Sequence, residues 1–363
     1  MKGIRIVSCE TRGWSVPPEM SEFRVAIVGA GKMARLHLAT LVAMPGVRLV
    51  GICNRTSDAG EGLAREFGID RAYRDLDQML RECRADAVFV AVSHAASYEV
   101  TSTVLDARIP CLVEKPAGYS SDEASRLASL ADEMGCLNIV GVNRRYFSTI
   151  NQALLAVGQH GPVRGVLVEA HEPILEYRSR RQFDSWVYDK WMVANTVHAI
   201  DLLRMIGGDV ADVKSFGRRI NEPGGDSFTA AIQFESGALG TFVAHSNSVR
   251  GVSLKIYGEG ITAELSPLES GFVIYDTGSR VKLRPDWSDT RFKAGLYAQN
   301  SAFLQAVIDR VAVSYPASDL RDHVKTLQLI EQIQTGNGIT TKSQPDHQPS
   351  LIVDERQVER AST

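Results

Sequence analysis

Hydrophobic positions along the chain follow two rhythms, and the change between them falls near residue 143. In the first stretch, mostly apolar runs at 25–28, 47–53, 86–92, 111–113 and 137–142 read as buried strands. Ala72-Tyr73 adds a shorter one. Between them, 32–42, 59–67, 76–82, 97–107 and 122–134 carry helical spacing, the last with Ser120 or Ser121 as its cap. Strands alternating with helices predict a parallel, doubly wound α/β sheet.

The second rhythm begins with a helix at 148–157, a longer strand at 163–171, a polar, aromatic-rich loop at 174–191 and a helix at 193–206. Strand-like segments then follow without intervening helices, at 211–220, 228–236, 239–247, 253–258, 261–265, 272–276 and 280–284. Consecutive strands of this kind predict an α+β domain with a large, mostly antiparallel open sheet. Helices at 295–312 and 319–334 close the pattern. The expected organisation is a loose extension over 1–21, containing Pro17-Pro18, an α/β domain over 22–143, an α+β domain over 144–336 and a polar tail over 337–363.

The first apolar run ends in glycine. Gly29, Gly31 and Ala34 fill the three small positions of the G-x-G-x-x-G/A fingerprint, with a strand before and a helix after. Gly29 permits the sharp turn, Gly31 lets backbone approach a pyrophosphate, and Ala34 lets the helix lie close to the sheet. Lys32 and Met33 open that helix, whose free N–H groups favour phosphate. This is the mark of a Rossmann dinucleotide domain. The second strand ends in Asn54-Arg55 with no acidic residue at its tip. Asn54 can bond a ribose hydroxyl and Arg55 can pair with a 2′-phosphate, which favours NADP over NAD. Ser93 and His94 follow the strand at 86–92 and Asn143 the last strand, all at carboxyl ends where such sheets bind ligands.

Two further clusters carry chemistry. Glu114-Lys115-Pro116 stands at a strand end on the expected nicotinamide side. A lysine there can exchange a proton with a substrate oxygen if burial lowers its pKa, and Glu114 is placed to pair with it. Asn195, His198 and Asp201 recur at i, i+3 and i+6 in an otherwise apolar helix, so they read as one wall of a site. His198 can orient a substrate hydroxyl, and Asp201 can fix its tautomer or pair within the helix.

Composition narrows the setting. At 363 residues without an internal repeat, two domains are the default. A net charge of -3 gives no footprint for nucleic acid, and no apolar stretch reaches membrane-spanning length. The first 20 residues lack the apolar core of a secretory signal. Five cysteines, an odd number with no C-x-x-C pair, fit reduced thiols in a cytoplasmic protein and offer no zinc site, so no metal is expected.

These landmarks together resemble the glucose–fructose oxidoreductase/inositol dehydrogenase (Gfo/Idh/MocA) family. The likeness rests on residues 25–34, on Glu114-Lys115-Pro116-Ala117, on Val140-Gly141-Val142-Asn143-Arg144-Arg145-Tyr146 at the domain junction, and on residues 197–204. It implies an NAD(P)-dependent oxidoreductase acting on a sugar, sugar derivative or cyclic polyol, assembled as a homodimer or homotetramer through its open sheet. In it Lys115 is the acid/base group, with His198 and Asn195 as its catalytic partners. Gly29, Gly31, Lys32, Met33, Asn54, Arg55, Ser93, His94, Glu114, Lys115 and Asn143 hold the cofactor. Lys115, Arg145, Trp191, Asn195 and His198 meet the substrate. One departure stands out: many members carry aspartate four residues before the histidine, where this chain has Ala194. The alternatives are a reductase of another carbonyl or an imine, and a dinucleotide-binding sensor that has lost catalysis. Calorimetric titration is expected to show tighter binding of NADPH than of NADH; the reverse order removes Asn54 and Arg55 as selectors.

Overall fold

The computed structural model describes residues 22–55, 58–181, 183–219, 225–246, 248–336 and 338–340. The extension 1–21, Thr56 and the tail from 341 onward lie outside the described residues.

Six parallel strands form the first sheet: β1 (Phe23–Val28), β2 (Val47–Cys53), β3 (Ala72–Tyr73), β4 (Ala87–Val90), β5 (Cys111–Glu114) and β6 (Asn138–Gly141). Their order is β3-β2-β1-β4-β5-β6. The order reverses between β1 and β4, and a crevice opens at their carboxyl ends. Both faces are covered. This is why β4 and β5 are buried at every position and show no alternation.

The second sheet holds β7 (Gly165–His171), β8 (Val210–Arg218), β9 (Ser227–Phe234), β10 (Leu239–His245), β11 (Gly251–Gly258), β12 (Ile261–Leu265), β13 (Gly271–Tyr275), β14 (Arg280–Leu283) and β15 (Gly338–Thr340). The order is β14-β13-β12-β11-β7-β10-β9-β8-β15. Pairing is antiparallel except between β7 and β10 and between β8 and β15. Here alternation is clear. Phe228, Ala230, Ile232 and Phe234 of β9 are buried, while Thr229, Ala231 and Gln233 face out. The buried side shares a core with the helices Ser148–Gly158, Val197–Gly207 and Leu320–Thr335. The other side exposes Phe216, Leu239, Tyr257 and Phe272.

Three features differ from the sequence pattern. Residues 338–340, expected in the loose tail, add a strand beside β8. The expected loop at 174–191 contains the short helices Ile174–Ser179 and Ser185–Asp189, packed around the aromatic cluster of Tyr177, Tyr188 and Trp191. The helix Leu296–Asp309 follows the second sheet in sequence but packs on the first. Phe303 and Leu304 join Phe23, Val25, Ile27 and Phe89 in one core, and the Phe89 and Phe303 rings meet edge-on at 5.6 Å.

A buried ion network ties the two sheets together. Arg145, just past β6, donates from Nε and Nη2 to the two carboxylate oxygens of Asp201 at 2.7 and 2.6 Å. The same guanidinium reaches Asp322 at 2.7 Å and the carbonyls of Pro316 and Ala317. Arg204 bonds Asp322 and Asp209 from the neighbouring helical turn. Removing one partner leaves buried charge uncompensated, which costs far more than an exposed pair is worth. Asp201→Asn is expected to lower unfolding free energy by about 3 kcal/mol, measured as an earlier urea midpoint with an unchanged slope.

Candidate active site

A groove of 670 Å³ runs along the carboxyl edge of β1, β2 and β4, lined by Gly29, Ala30, Gly31, Lys32, Met33, Asn54, Arg55 and Ser93 among others. The two fingerprint glycines have different causes. Gly29 has φ 104°, and a Cβ there would lie 2.2 Å from the Ala91 carbonyl oxygen, so the fold itself demands glycine. Gly31 is extended, with φ -83°, and a Cβ there would meet nothing within 4 Å. No neighbour forbids a side chain at Gly31; only an occupant of the groove would. Gly31 caps the helix Lys32–Leu41 without a side-chain partner, leaving first-turn N–H groups to an anion. A dinucleotide fits this cradle: glycine where phosphate would pass, a helix end behind it, and Asn54 and Arg55 at the far end.

The groove meets a second cleft of 590 Å³ at Met33 and Val92. This cleft is lined by Lys115, His94, Glu114, Asn143, Asn195 and His198, and by Arg144, Arg250, Glu269 and Lys293. Lys115 ends the β5 segment and reaches across to the second domain, where its Nζ donates to the Ala194 carbonyl at 2.7 Å. That carbonyl lies in Met192–Thr196, five residues in a wide π turn before the helix Val197–Gly207. Such turns interrupt the ordinary helical ladder and free backbone groups for other partners.

Electrostatics sets the lysine apart. Burial pushes its pKa down to about 8; Lys293 and Arg144 push the same way, and Glu114 and Glu172 oppose them. Burial, with the Lys115 charge, lowers His94 to about 4. Burial holds His198 well below its ordinary value, with Lys115, Arg144 and Lys293 adding to the effect. Both imidazoles are therefore neutral near pH 7.

Several expected residues occupy other roles. Glu114 does not clasp the lysine: its Oε1 accepts from His37 Nε2 at 2.9 Å, and His37 Nδ1 lies 3.0 Å from Asn300 Oδ1. Asn143 is tied through Nδ2 to the Ala294 carbonyl at 2.7 Å while still lining the cleft. The expected row of Asn195, His198 and Asp201 is split. The first two line the cleft, and Asp201 turns to Arg145 because a buried guanidinium needs its carboxylate. For the same reason Arg145, expected to meet substrate, is withdrawn from the cleft, with 4% of its side chain exposed. Trp191 is also withdrawn, stacked on Tyr188 at 5.9 Å inside the aromatic cluster. Arg144, Arg250, Lys293 and Glu172 escaped the sequence reading. Arg144 was findable as the other arginine of the junction motif; nothing in the local pattern marks the rest.

A dinucleotide cradle that opens into a second cleft holding a desolvated lysine defines a two-domain oxidoreductase. The chain belongs to the Gfo/Idh/MocA family: residues 23–142 match the family model described as "Oxidoreductase family, NAD-binding Rossmann fold", and residues 151–264 match its C-terminal domain. Among curated proteins it is 24% identical over 310 residues to scyllo-inositol 2-dehydrogenase (NAD(+)) of Bacillus subtilis, covering 79% of this chain and 86% of that protein. It is 25% identical over 296 residues to UDP-N-acetylglucosamine 3-dehydrogenase of Acidithiobacillus ferrooxidans, covering 79% and 90%. A solved oxidoreductase from Agrobacterium radiobacter, in complex with NAD+, L-tartaric acid and magnesium, shares the fold with a TM-score of 0.73 at 19% identity, covering 85% of this chain and 94% of that one.

Gly31→Val is expected to leave the melting temperature unchanged and to weaken dinucleotide binding at least ~10-fold, about 1.4 kcal/mol, by calorimetry.

Proposed function

We propose that the protein is an NAD(P)-dependent dehydrogenase that oxidises a secondary alcohol of a sugar, sugar derivative or cyclic polyol. The observation that carries this reading is Lys115: a buried amine with its pKa lowered to about 8, lining the polar cleft into which the dinucleotide groove opens. The bound dinucleotide supplies the hydride acceptor. Gly29, Gly31, Lys32 and Met33 would hold its phosphates, Asn54 and Arg55 its adenosine ribose with a preference for the 2′-phosphate of NADP, and Ser93, His94 and Asn143 its nicotinamide end.

The residues around the substrate have distinct tasks. Lys115, once neutral, takes the hydroxyl proton as the carbon is oxidised, and returns it in the reverse direction. The Ala194 carbonyl anchors Nζ at the cleft wall. His198, kept neutral, orients the reacting hydroxyl without competing for its proton. Asn195 and Arg144 serve neighbouring oxygens. A cleft lined by so many donors and acceptors suits a polyhydroxylated molecule better than an apolar carbonyl compound. The relatives named as inositol and nucleotide-sugar dehydrogenases support the same substrate class. The exposed apolar positions on the open sheet, Phe216, Leu239, Tyr257 and Phe272, support a homo-oligomer assembled through that face.

Lys115→Ala is expected to lower turnover of a cyclic polyol at least ~100-fold while dinucleotide affinity stays close to wild type. In the wild type, kcat/KM for alcohol oxidation is expected to rise with pH and level off above about 8, because only the neutral amine can accept the proton. A profile that falls through that range excludes Lys115 as the base.

A further inference from the structure

Behind the cleft wall stands a carboxylate that no motif marks. Glu172 is the first residue after β7 and is 8% exposed. Its Oε1 accepts from Asn195 Nδ2 at 2.9 Å, and its Oε2 lies 3.5 Å from the Tyr177 hydroxyl. An ionised carboxylate can only accept, so the Asn195 amide must turn its NH2 to Glu172 and leave Oδ1 free. Asn195 shares the cleft with Lys115 and His198. The helix itself offers Lys115 only the backbone of Ala194; Glu172 brings negative charge to that corner from a different element.

Resting on the dehydrogenase reading, we propose that Glu172 is a positioning residue for the reaction: it fixes Asn195 with its amide oxygen towards the substrate and adds to Glu114 a second negative charge that steadies the Lys115 ammonium. The free Oδ1 then accepts from a hydroxyl next to the reacting one, so the preferred substrate is a vicinal diol.

The charges around the lysine make its dependence on Glu172 specific. Lys115 faces Glu114 from β5, Arg144 from the turn Asn143–Tyr146, Lys293 from the approach to the helix Leu296–Asp309, and His94 and His198 from their own helices. Glu114 is engaged with His37. Glu172 in turn faces Arg250, Arg144, Tyr177 and Lys115; burial raises its carboxyl above the ordinary carboxylate value, and those cations and the tyrosine hydroxyl offset only part of that rise. Neutralising Glu172 therefore leaves Lys115 among cations with less to offset them, and its ammonium loses its proton more easily.

The test uses the full chain and two readouts. Labelling of Lys115 with acetic anhydride, followed by mass spectrometry across a pH series, titrates the amine without any substrate. Glu172→Gln is expected to move the midpoint down by ~0.5 pH unit or more. Glu172→Asp, which withdraws the charge by one methylene, should fall between Gln and wild type, and carries the test if the Gln variant does not fold. Turnover of myo-inositol with NAD+ or NADP+ should show the acid limb of kcat/KM moving in the same direction. An unchanged labelling midpoint overturns the proposal even in an active enzyme. A wild type inactive on every polyol, with the midpoint still shifted, overturns the dehydrogenase reading and upholds the charge coupling.

Discussion

The fork from Arg145 to Asp201 fixes the geometry on which the site depends. Lys115 belongs to the end of a strand in the first sheet and His198 to a helix that packs on the second. Nothing in either domain alone sets the distance between them. Arg145 leaves the first sheet immediately after β6 and grips Asp201, one helical turn beyond His198, through two charge-assisted bonds at 2.7 and 2.6 Å. With Asp322 and the carbonyls of Pro316 and Ala317 on the same guanidinium, the helix cannot slide without breaking several buried bonds together. An ion pair of this kind contributes little net stability against an apolar alternative. Its value here is the fixed relation of two surfaces that must act on one carbon.

Within that frame, the chemistry is set by where charge is satisfied and where it is left over. Glu114 is adjacent to Lys115 in sequence, yet the buried His37 claims it, so the lysine keeps only a backbone carbonyl as a direct acceptor. Arg144 and Lys293 stand near without offsetting it. A lysine that paired closely with Glu114 would be a stable cation and a poor base. The arrangement withholds that pairing, and burial does the rest.

The sequence made the first domain readable because apolar strands separated by helices admit few topologies, and because Gly29, Gly31 and Ala34 are small for separate reasons: Gly29 for the turn against Ala91, Ala34 for the helix packed on the sheet, and Gly31 for an occupant of the groove. Lys115, Asn195 and His198 were legible from their positions at strand and helix ends, and all three line one cleft. Their catalytic roles remain part of the proposal. Arg145 and Trp191 were misplaced for a physical reason: whether a polar or aromatic residue beside a site faces inward is decided by partners distant in sequence, Asp201 and Asp322 for the one and Tyr188 for the other. The π turn at 192–196 was illegible as well, since helical periodicity averages over a single wide turn. Arg250 and Lys293 reach the cleft, and Glu172 the back of its wall, from three unrelated segments, and only tertiary structure brings them there.

The helix Leu296–Asp309 bears on how the chain is made. It seals one face of the first sheet with Phe303 and Leu304, and Asn300 reaches Thr40 as well as His37 on the fingerprint helix. Those residues emerge from the ribosome long after β1 to β6. Until they arrive, Phe23, Ile27 and Phe89 lack part of their cover and the His37–Glu114 contact lacks its neighbour at Asn300. The dinucleotide domain, although its strands precede the second sheet, reaches its final packing only once Leu296–Asp309 has been made. A nascent or truncated chain that ends in the second sheet therefore presents an open apolar face, a surface suited to chaperone capture rather than to the cofactor.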